Sequence, residues 1–456
     1  MTSSKDTIMN LDIMGQMPVN IYTQICLVFP LADSSSDSTI VATLRAGLEK
    51  VSKNFPWVAG QVVRDGVTAG NTGHATINVY KDIPQLVVKD FRDNPAAPTL
   101  DALRRGNYPM ALLDESLVAP RNTVPSGSEP EECPVLLVQA TFITGGLLLT
   151  FVAHHCAMDF IGQAVVMELL SKACRDEPFT TEELRIGNID RGDIVPLLEG
   201  YHPGPEVAHQ LVKPVLAPTM STEILAPPPP AKCVWANFNF SAEALEALKK
   251  RGNKHLHGGF VSTDDALSAL IWQSVTKARI PRFRESHPSN VKFARAVDTR
   301  SVLGIPTTYT GWMQNMTYHH YPPHRLAKER IGTVASELRA ALEPKELRFR
   351  AQASATVLAN TADKTKFSVT ASLDPANDIM LSSWSKVDCY SRMDFNLGLG
   401  KPLAARRPRF VPVESLIYLG PKAPDGAVVA SICLQEEDMG RLSADEEFAK
   451  YATFVG

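Results

Sequence analysis

The chain has no CxxC pair. Its seven cysteines (Cys26, Cys133, Cys156, Cys174, Cys233, Cys389 and Cys433) are odd in number and scattered. That pattern argues against a disulfide framework and a zinc ribbon, and fits buried thiols in a reducing compartment. No apolar run reaches the ~18 residues of a membrane span. The opening MTSSKDTIMNLDIMG lacks a charged-then-apolar leader pattern. The closing TFVG is not a peroxisomal tripeptide. A cytoplasmic location is therefore expected. Neither charge dominates: 46 Lys and Arg face 49 Asp and Glu, for a net charge of −3. No global basic field would gather nucleic acid, so any anionic ligand must be held by local charge. There is no internal repeat.

What remains is the composition of a folded chain, 44% hydrophobic and 21% charged. Its length suggests two or three compact units. YTQICLVFPLA reads as a strand, and Ile40, Leu44, Leu48, Val51 and Phe55 at helical spacing predict the helix after it. Pro56 ends that helix, and WVAGQVV resumes as a strand. VLLVQATFI and LLLTFVA flank Thr144-Gly145-Gly146, which predicts a hairpin of strands buried on both faces. IGQAVVMELLSKACR then predicts a helix of about four turns.

Six prolines in VKPVLAPTM and LAPPPPAK suggest a stiff crossover, with a surface-hugging loop as the alternative. Beyond it, VWANFNF, VKFARAV, SVTASL, IMLSSW and ESLIYLG read as strands. AEALEALKK, DDALSALIWQSVTKARI and ERIGTVASELRAAL read as helices, the first two opened by Ser241 and by Ser262 or Thr263. Mixed strands and helices in both halves indicate two α/β layers. The division expected is residues 1–194, a Pro-rich crossover at 195–232, and residues 233–456. A strand segment near 365–390 is expected to pack with the first unit.

FVAHHCAMDFIG packs His154, His155, Cys156 and Asp159 into six positions after an apolar run. Three readings compete. Both histidines could be hydrogen-bonded structural residues. The cluster could bind a metal, with His319, His320 or His324 contributing. But adjacent strand residues face opposite ways, so His154 and His155 cannot easily share an ion, and zinc-ligand spacings are absent. The third reading is a base that takes a proton from a hydroxyl. Asp159 could then orient the imidazole, cap the following helix, or pair with a distant arginine. A Cys156 nucleophile is disfavoured, because its side chain opposes that of His155.

HHCAMD resembles the HxxxD core of the BAHD acyl-CoA-dependent acyltransferases. Late in the chain, DFNLGLGKP resembles their second signature, DFGWG, and SSW precedes it. PWVAGQV, SKACRDEPFT, FVSTDDALSALIW, RAVDTR and PVESLIY are similar to the fungal trichothecene 3-O-acetyltransferases, almost end to end. HHxxxD also occurs in peptide-synthetase condensation domains, which take their donor from a carrier protein.

This resemblance implies two chloramphenicol-acetyltransferase-like α/β domains, each a mixed sheet flanked by helices, with an active-site channel between them. It implies transfer of acetyl from acetyl-CoA to an alcohol acceptor, in particular the C-3 hydroxyl of a trichothecene, without a metal and as a monomer. His155 would be the general base and Asp159 a brace paired with Arg300 of RAVDTR. Asp394 would belong to the site as a structural residue holding a loop near the coenzyme entrance, supported by Asn396 and Gly398. Asn396 replaces a family glycine; of the non-glycine residues, asparagine best suits a left-handed backbone.

Ser382, Ser383 and Trp384 would line the pantetheine channel. For the coenzyme phosphates, LKKRGNKH offers Lys249, Lys250, Arg251 and Lys254, and RRPR offers Arg406, Arg407 and Arg409. The helix start near Thr263 and the backbone near Asn396 are candidate oxyanion donors, and GWMQNMTYHH is a candidate acceptor wall. Alternatives are another alcohol or amine acceptor and a non-catalytic terpenoid- or CoA-binding protein.

Overall fold

The computed structural model describes residues 7–31, 36–125, 132–213, 231–254, 256, 258–283 and 288–456. Two sheets carry the chain. The first has five strands in the spatial order Ala404–Arg406, Tyr22–Pro30, Gly146–His154, Leu136–Ile143, Gln85–Asp90. The second has seven, in the order Gln314–Tyr321, Val291–Asp298, Ile379–Ser383, Leu416–Leu419, Val428–Gln435, Cys233–Phe240, Thr453–Phe454. Each mixes parallel and antiparallel pairs. A three-stranded sheet, Thr7–Asn10, His74–Asn78 and Gln61–Asp65, flanks the first. The result is an α/β architecture of two lobes.

The central hairpin forms where its sequence dictates. Ile143 pairs with Gly146, and Gly145 takes φ +80°, a left-handed conformation that costs glycine nothing. Alternate residues then part to the two faces. Leu147, Leu149, Phe151 and Ala153 join a core with Ile40, Leu44 and Leu48 of helix Asp37–Asn54 and Leu170 of helix Phe160–Cys174. Leu148 and Val152 enter separate clusters on the other face. The second lobe's core is built wholly from Ala236 onward.

Several expectations need correction. WVAGQVV is not one strand: Pro56–Ala59 forms a short 3-10 helix and the strand begins at Gln61. SVTASL is a series of turns, because the Ser368 side chain and carbonyl capture the N–H groups of Thr370 and Ala371. Helix Pro344–Asn360 and strand Val428–Gln435 were not anticipated. The segment near 365–390 divides between the lobes. Ile379–Ser383 pairs within the seven-stranded sheet, while Phe367, Trp384, Cys389 and Tyr390 pack into the first core. The strand that crosses to the first sheet is Ala404–Arg406, antiparallel to Tyr22–Pro30. Of the Pro-rich crossover, residues 195–213 run as turns, with Leu211 bridging to Phe367. Residues 214–230 lie outside the described residues.

The lobes meet tightly at the start of helix Phe160–Cys174. A Cβ on Gly162 would stand 2.1 Å from the Thr310 carbonyl oxygen. Both positions are backbone, so nothing flexible can yield. Gly162→Ala is expected to cost about 1–3 kcal/mol. The check is a urea unfolding curve with a lowered midpoint and an unchanged slope.

Candidate active site

Strand Gly146–His154 ends at the histidine pair, and the two rings part as the pleat requires. His154 lies on the face of Val152, edge-on to Tyr22 with ring centroids 5.1 Å apart. Its Nδ1 accepts the Cys156 N–H at 3.3 Å. Burial, then the charges of His155, Arg121 and Arg64, push its pKa down to about 3. His154 is a neutral core residue.

His155 follows the opposite face and packs against Trp312, with ring centroids 4.4 Å apart. Its N–H donates to the Ile21 carbonyl at 3.0 Å, which fixes the backbone. The residue is half-buried. Nδ1 is sealed from solvent without a partner, which leaves Nε2 as the nitrogen available to a substrate. Burial lowers the pKa of this ring. Its own main chain and the Asp159 carboxylate act upward, and Arg407 acts downward. At neutral pH the imidazole is therefore unprotonated.

Asp159 does not touch either ring; it caps helix Phe160–Cys174 and ties the lobes together. One carboxylate oxygen accepts from the Gly162 N–H at 2.9 Å and Arg300 Nη2 at 2.8 Å. The other accepts from Arg300 Nη1 and the Met313 N–H, both at 2.9 Å. Arg300 is fully buried and also donates to Tyr309 O, Gly311 O and Asp298. Burial alone would lower its pKa; the charges and hydrogen bonds of Asp159 and Asp298 together outweigh this and raise it. Asp12 completes the clamp, accepting from Tyr309 Oη at 2.9 Å and the Trp312 N–H at 2.8 Å. Burial pushes this carboxyl's pKa up. Arg191 joins Ala157 O to Thr310 Oγ1. The Tyr309–Met313 segment is thus held from both lobes, and it carries the ring that packs on His155.

The Cys156 thiol donates to the carbonyls of Met17 and Val19, and burial pushes its pKa up to about 12. It is no nucleophile at neutral pH. No cluster of three His, Cys, Asp or Glu that could hold a metal occurs among the described residues.

Between the lobes, a cleft of about 540 Å³ runs from Ile161 and Ala164 on one side to Ser262, Arg295 and Ser383 on the other. Ser383 donates to Asp264, as does Ser385 at 3.1 Å. Ser382 is half-buried on the same strand, and Trp384 stacks on Phe160 at 3.8 Å. The lining cations Arg295, Arg339 and Arg392 are paired with acids; Lys386 has no ion pair among the described residues.

Other candidates lie elsewhere. Lys254 lines a separate pocket with Arg251 and Arg330, by the start of helix Ile331–Ala340, whereas the cleft reaches that helix's other end at Arg339. The RRPR patch is not an open phosphate site. Arg406 and Arg407 are buried, and Arg409 pairs with Asp114.

Asp394 is not brought to His155. Its carboxylate accepts the Asn396 N–H, and its carbonyl takes Ser171 Oγ and Arg175 Nη1, at the far end of helix Phe160–Cys174 from Asp159. A helix of that length separates them by about 20 Å. Asn396 takes φ +56° and Gly398 φ +74°, and this turn occupies the Asn396 N–H, so it is no free oxyanion donor. The helix start near Thr263 is likewise used, in a capping box between Ser262 and Asp265.

Comparison with known proteins agrees with this geometry. Residues 21–174 match the trichothecene 3-O-acetyltransferase-like N-terminal domain, and residues 99–449 match the Transferase family. The chain belongs to the BAHD-type transferase family. This transferase is 50% identical to the trichothecene 3-O-acetyltransferase TRI101 of Fusarium sporotrichioides, over 100% of its own length and 99% of the relative's. It is 49% identical to the O-acetyltransferase dmxR13 of Cryptosporiopsis, over 98% of each. The crystal structure of F. sporotrichioides TRI101 with coenzyme A and T-2 superposes with a TM-score of 0.92 at 49% identity, covering 98% of this chain and 99% of that one.

Sequence reasoning missed Asp12, Arg191, Tyr309 and Lys386 in the transferase. No motif or spacing marks them: Asp12, Arg191 and Tyr309 act through contacts with distant segments, and Lys386 counts only because the fold brings it to the cleft.

Two outcomes follow from these contacts. Asp159→Ala leaves Arg300 buried without its main counter-ion and is expected to cost about 3–5 kcal/mol in a denaturation curve. His154 binds its proton near pH 6.5 when unfolded but only near 3 when folded. The stability it contributes is full above pH 6.5 and is lost as pH falls toward 3. A pH series of unfolding curves should show that slope, and His154→Phe should flatten it.

Proposed function

We propose that the enzyme moves an acetyl group from acetyl-CoA to a hydroxyl of an apolar secondary metabolite, namely the C-3 hydroxyl of a trichothecene, with His155 as general base. The observation that carries this reading is an imidazole held neutral at the lobe interface, with Nδ1 sealed and Nε2 left to a substrate. Relatives at 50% and 49% identity bear acetyltransferase names, and a solved relative holds coenzyme A.

In this mechanism, Nε2 takes the hydroxyl proton as the oxygen attacks the thioester carbonyl. The tetrahedral oxyanion collapses, the carbon–sulfur bond breaks, and the CoA sulfur takes the proton back from the imidazolium. No acyl-enzyme forms. The interlobe cleft receives the coenzyme, with Ser382, Ser383 and Trp384 along the pantetheine and Lys386 or Lys254 toward the phosphates. Asp159, Arg300 and the Asp394 turn are structural supports. The working form is a monomer in the cytoplasm; no helix among the described residues is long and apolar enough to cross a membrane.

A second acceptor class follows from dmxR13, an O-acetyltransferase at nearly the same identity. The deciding experiment is mass spectrometry of products from acetyl-CoA with deoxynivalenol, T-2 precursors carrying a free C-3 hydroxyl, and a panel of other fungal alcohols. The expected product gains one acetyl at C-3, and His155→Ala reduces the rate by ~10² to 10⁴. An unmodified trichothecene alongside an acetylated panel member would move the acceptor. Full activity in His155→Ala would remove the base.

A further inference from the structure

The interlobe cleft stops short of His155. On the first lobe it follows one face of helix Phe160–Cys174, through Ile161, Ala164, Val165 and Glu168, and neither His155 nor Trp312 lines it. At the Ile161 end the lobes close on each other, where Asp159 holds Arg300 and Gly162 lies against the Thr310 carbonyl. That end leads to the histidine turn. His155 stands five residues before Phe160, and the N–H groups of Ala157 and Met158 fold the turn back onto the His154 carbonyl.

Two aromatic rings stand at this closed end. Phe160 immediately precedes the lining residue Ile161, and Trp384 immediately follows the lining residue Ser383. Each is 5% exposed, and the rings stack with centroids 3.8 Å apart and planes 16° apart. That is van der Waals contact, with no room for an atom between the faces. Phe160, Trp384 and Trp312, the ring that packs on His155, belong to one apolar cluster.

Both rings are anchored. Phe160 is the first residue of a helix pinned by its Asp159 cap. The Trp384 N–H donates to the Leu419 carbonyl at 2.8 Å, and its ring is backed by Tyr418 at 5.0 Å and the Arg407 guanidinium at 5.5 Å. A thioester delivered along this cleft therefore meets the stack as its carbonyl approaches His155. Acetyl carries one methyl beyond the carbonyl. Each added methylene needs volume that the two rings already occupy, and a close-packed apolar wall resists such insertion.

We propose that the Phe160–Trp384 stack is the end wall of the acyl pocket and that Phe160 limits the donor to the two-carbon acetyl group. The proposal rests on the cleft receiving the coenzyme and on His155 being the base.

The test measures kcat/KM for acetyl-, propionyl-, butyryl- and hexanoyl-CoA against one acceptor, with mass spectrometry of the ester formed. The wild type is expected to lose roughly 10-fold or more with each added methylene. Phe160→Leu should raise the butyryl-to-acetyl ratio by about 10-fold or more, whereas Phe160→Tyr, which keeps the stacked ring, should hold the wild-type ratio. Trp384→Phe shrinks the stack from its other side and should raise the ratio too, which keeps the test open if Phe160→Leu does not fold. A wild type that uses butyryl-CoA as well as acetyl-CoA overturns the proposal. So does an unmoved ratio in the folded variants. If neither Phe160→Leu nor Trp384→Phe folds, the stack is a packing element and the proposal falls. An enzyme that acetylates no acceptor sinks the acetyl-transfer reading itself; one that acetylates with an unmoved ratio sinks the wall alone.

Discussion

Asp159 holds the two lobes through four hydrogen bonds, two of them from one guanidinium, with every acceptor direction of its carboxylate in use. Water is excluded from both partners, so the pair is strong only because it is complete. Its geometry settles three things together: the start of helix Phe160–Cys174, the path of the Tyr309–Met313 segment, and the separation of the two sheets at the point where His155 emerges. Gly162 is required there because the helix start touches the Thr310 carbonyl. Gly311 is required because a Cβ would stand 2.2 Å from the Asp12 carboxylate. Small residues and buried carboxylates alternate along one seam, and the imidazole sits at its end.

Asp12 and Asp159 meet the same problem differently. Asp159 has a guanidinium in direct contact. Asp12 has three hydrogen-bond donors and only the more distant charge of Arg191, and its pKa is pushed up. Both hold successive N–H groups, of Trp312 and Met313. One segment of the second lobe is thereby bound to the N-terminal extension and to the histidine turn at once. Rigidity at Trp312 follows, and that ring is what packs against His155.

Local pattern made much of the first lobe legible. The hairpin around Gly145, the helix after Asp159 and the separation of the two histidines all follow from two-residue and 3.6-residue periods. The Asp159–Arg300 contact spans 141 positions, and no spacing rule reaches that far. Family resemblance supplied it instead. Resemblance was least informative about charge. RRPR reads as an exposed phosphate patch, yet Ala404–Arg406 is a strand of the first sheet, so Arg406 and Arg407 are carried inward. SVTASL has strand-like composition, but serine and threonine hydroxyls bonded the backbone locally and turned it. Helix Pro344–Asn360 escaped because its buried face, though at helical spacing, is made largely of small or polar residues such as Ala351, Ser354 and Ala355, which give little apolar contrast.

The arrangement also constrains how an imidazole could work here. In a serine-hydrolase triad, the carboxylate accepts a hydrogen bond from histidine Nδ1 and stabilises the imidazolium. Asp159 cannot do this, since its oxygens are filled by Arg300, Gly162 and Met313, and His155 Nδ1 has no partner. Burial disfavours the imidazolium more than the ring's own main chain and the Asp159 charge favour it, so a protonated His155 should be short-lived. That suits a reaction whose second half returns the proton to a thiolate. In the proposed mechanism, the same burial that weakens the ring as a base would make it a ready acid as the carbon–sulfur bond breaks.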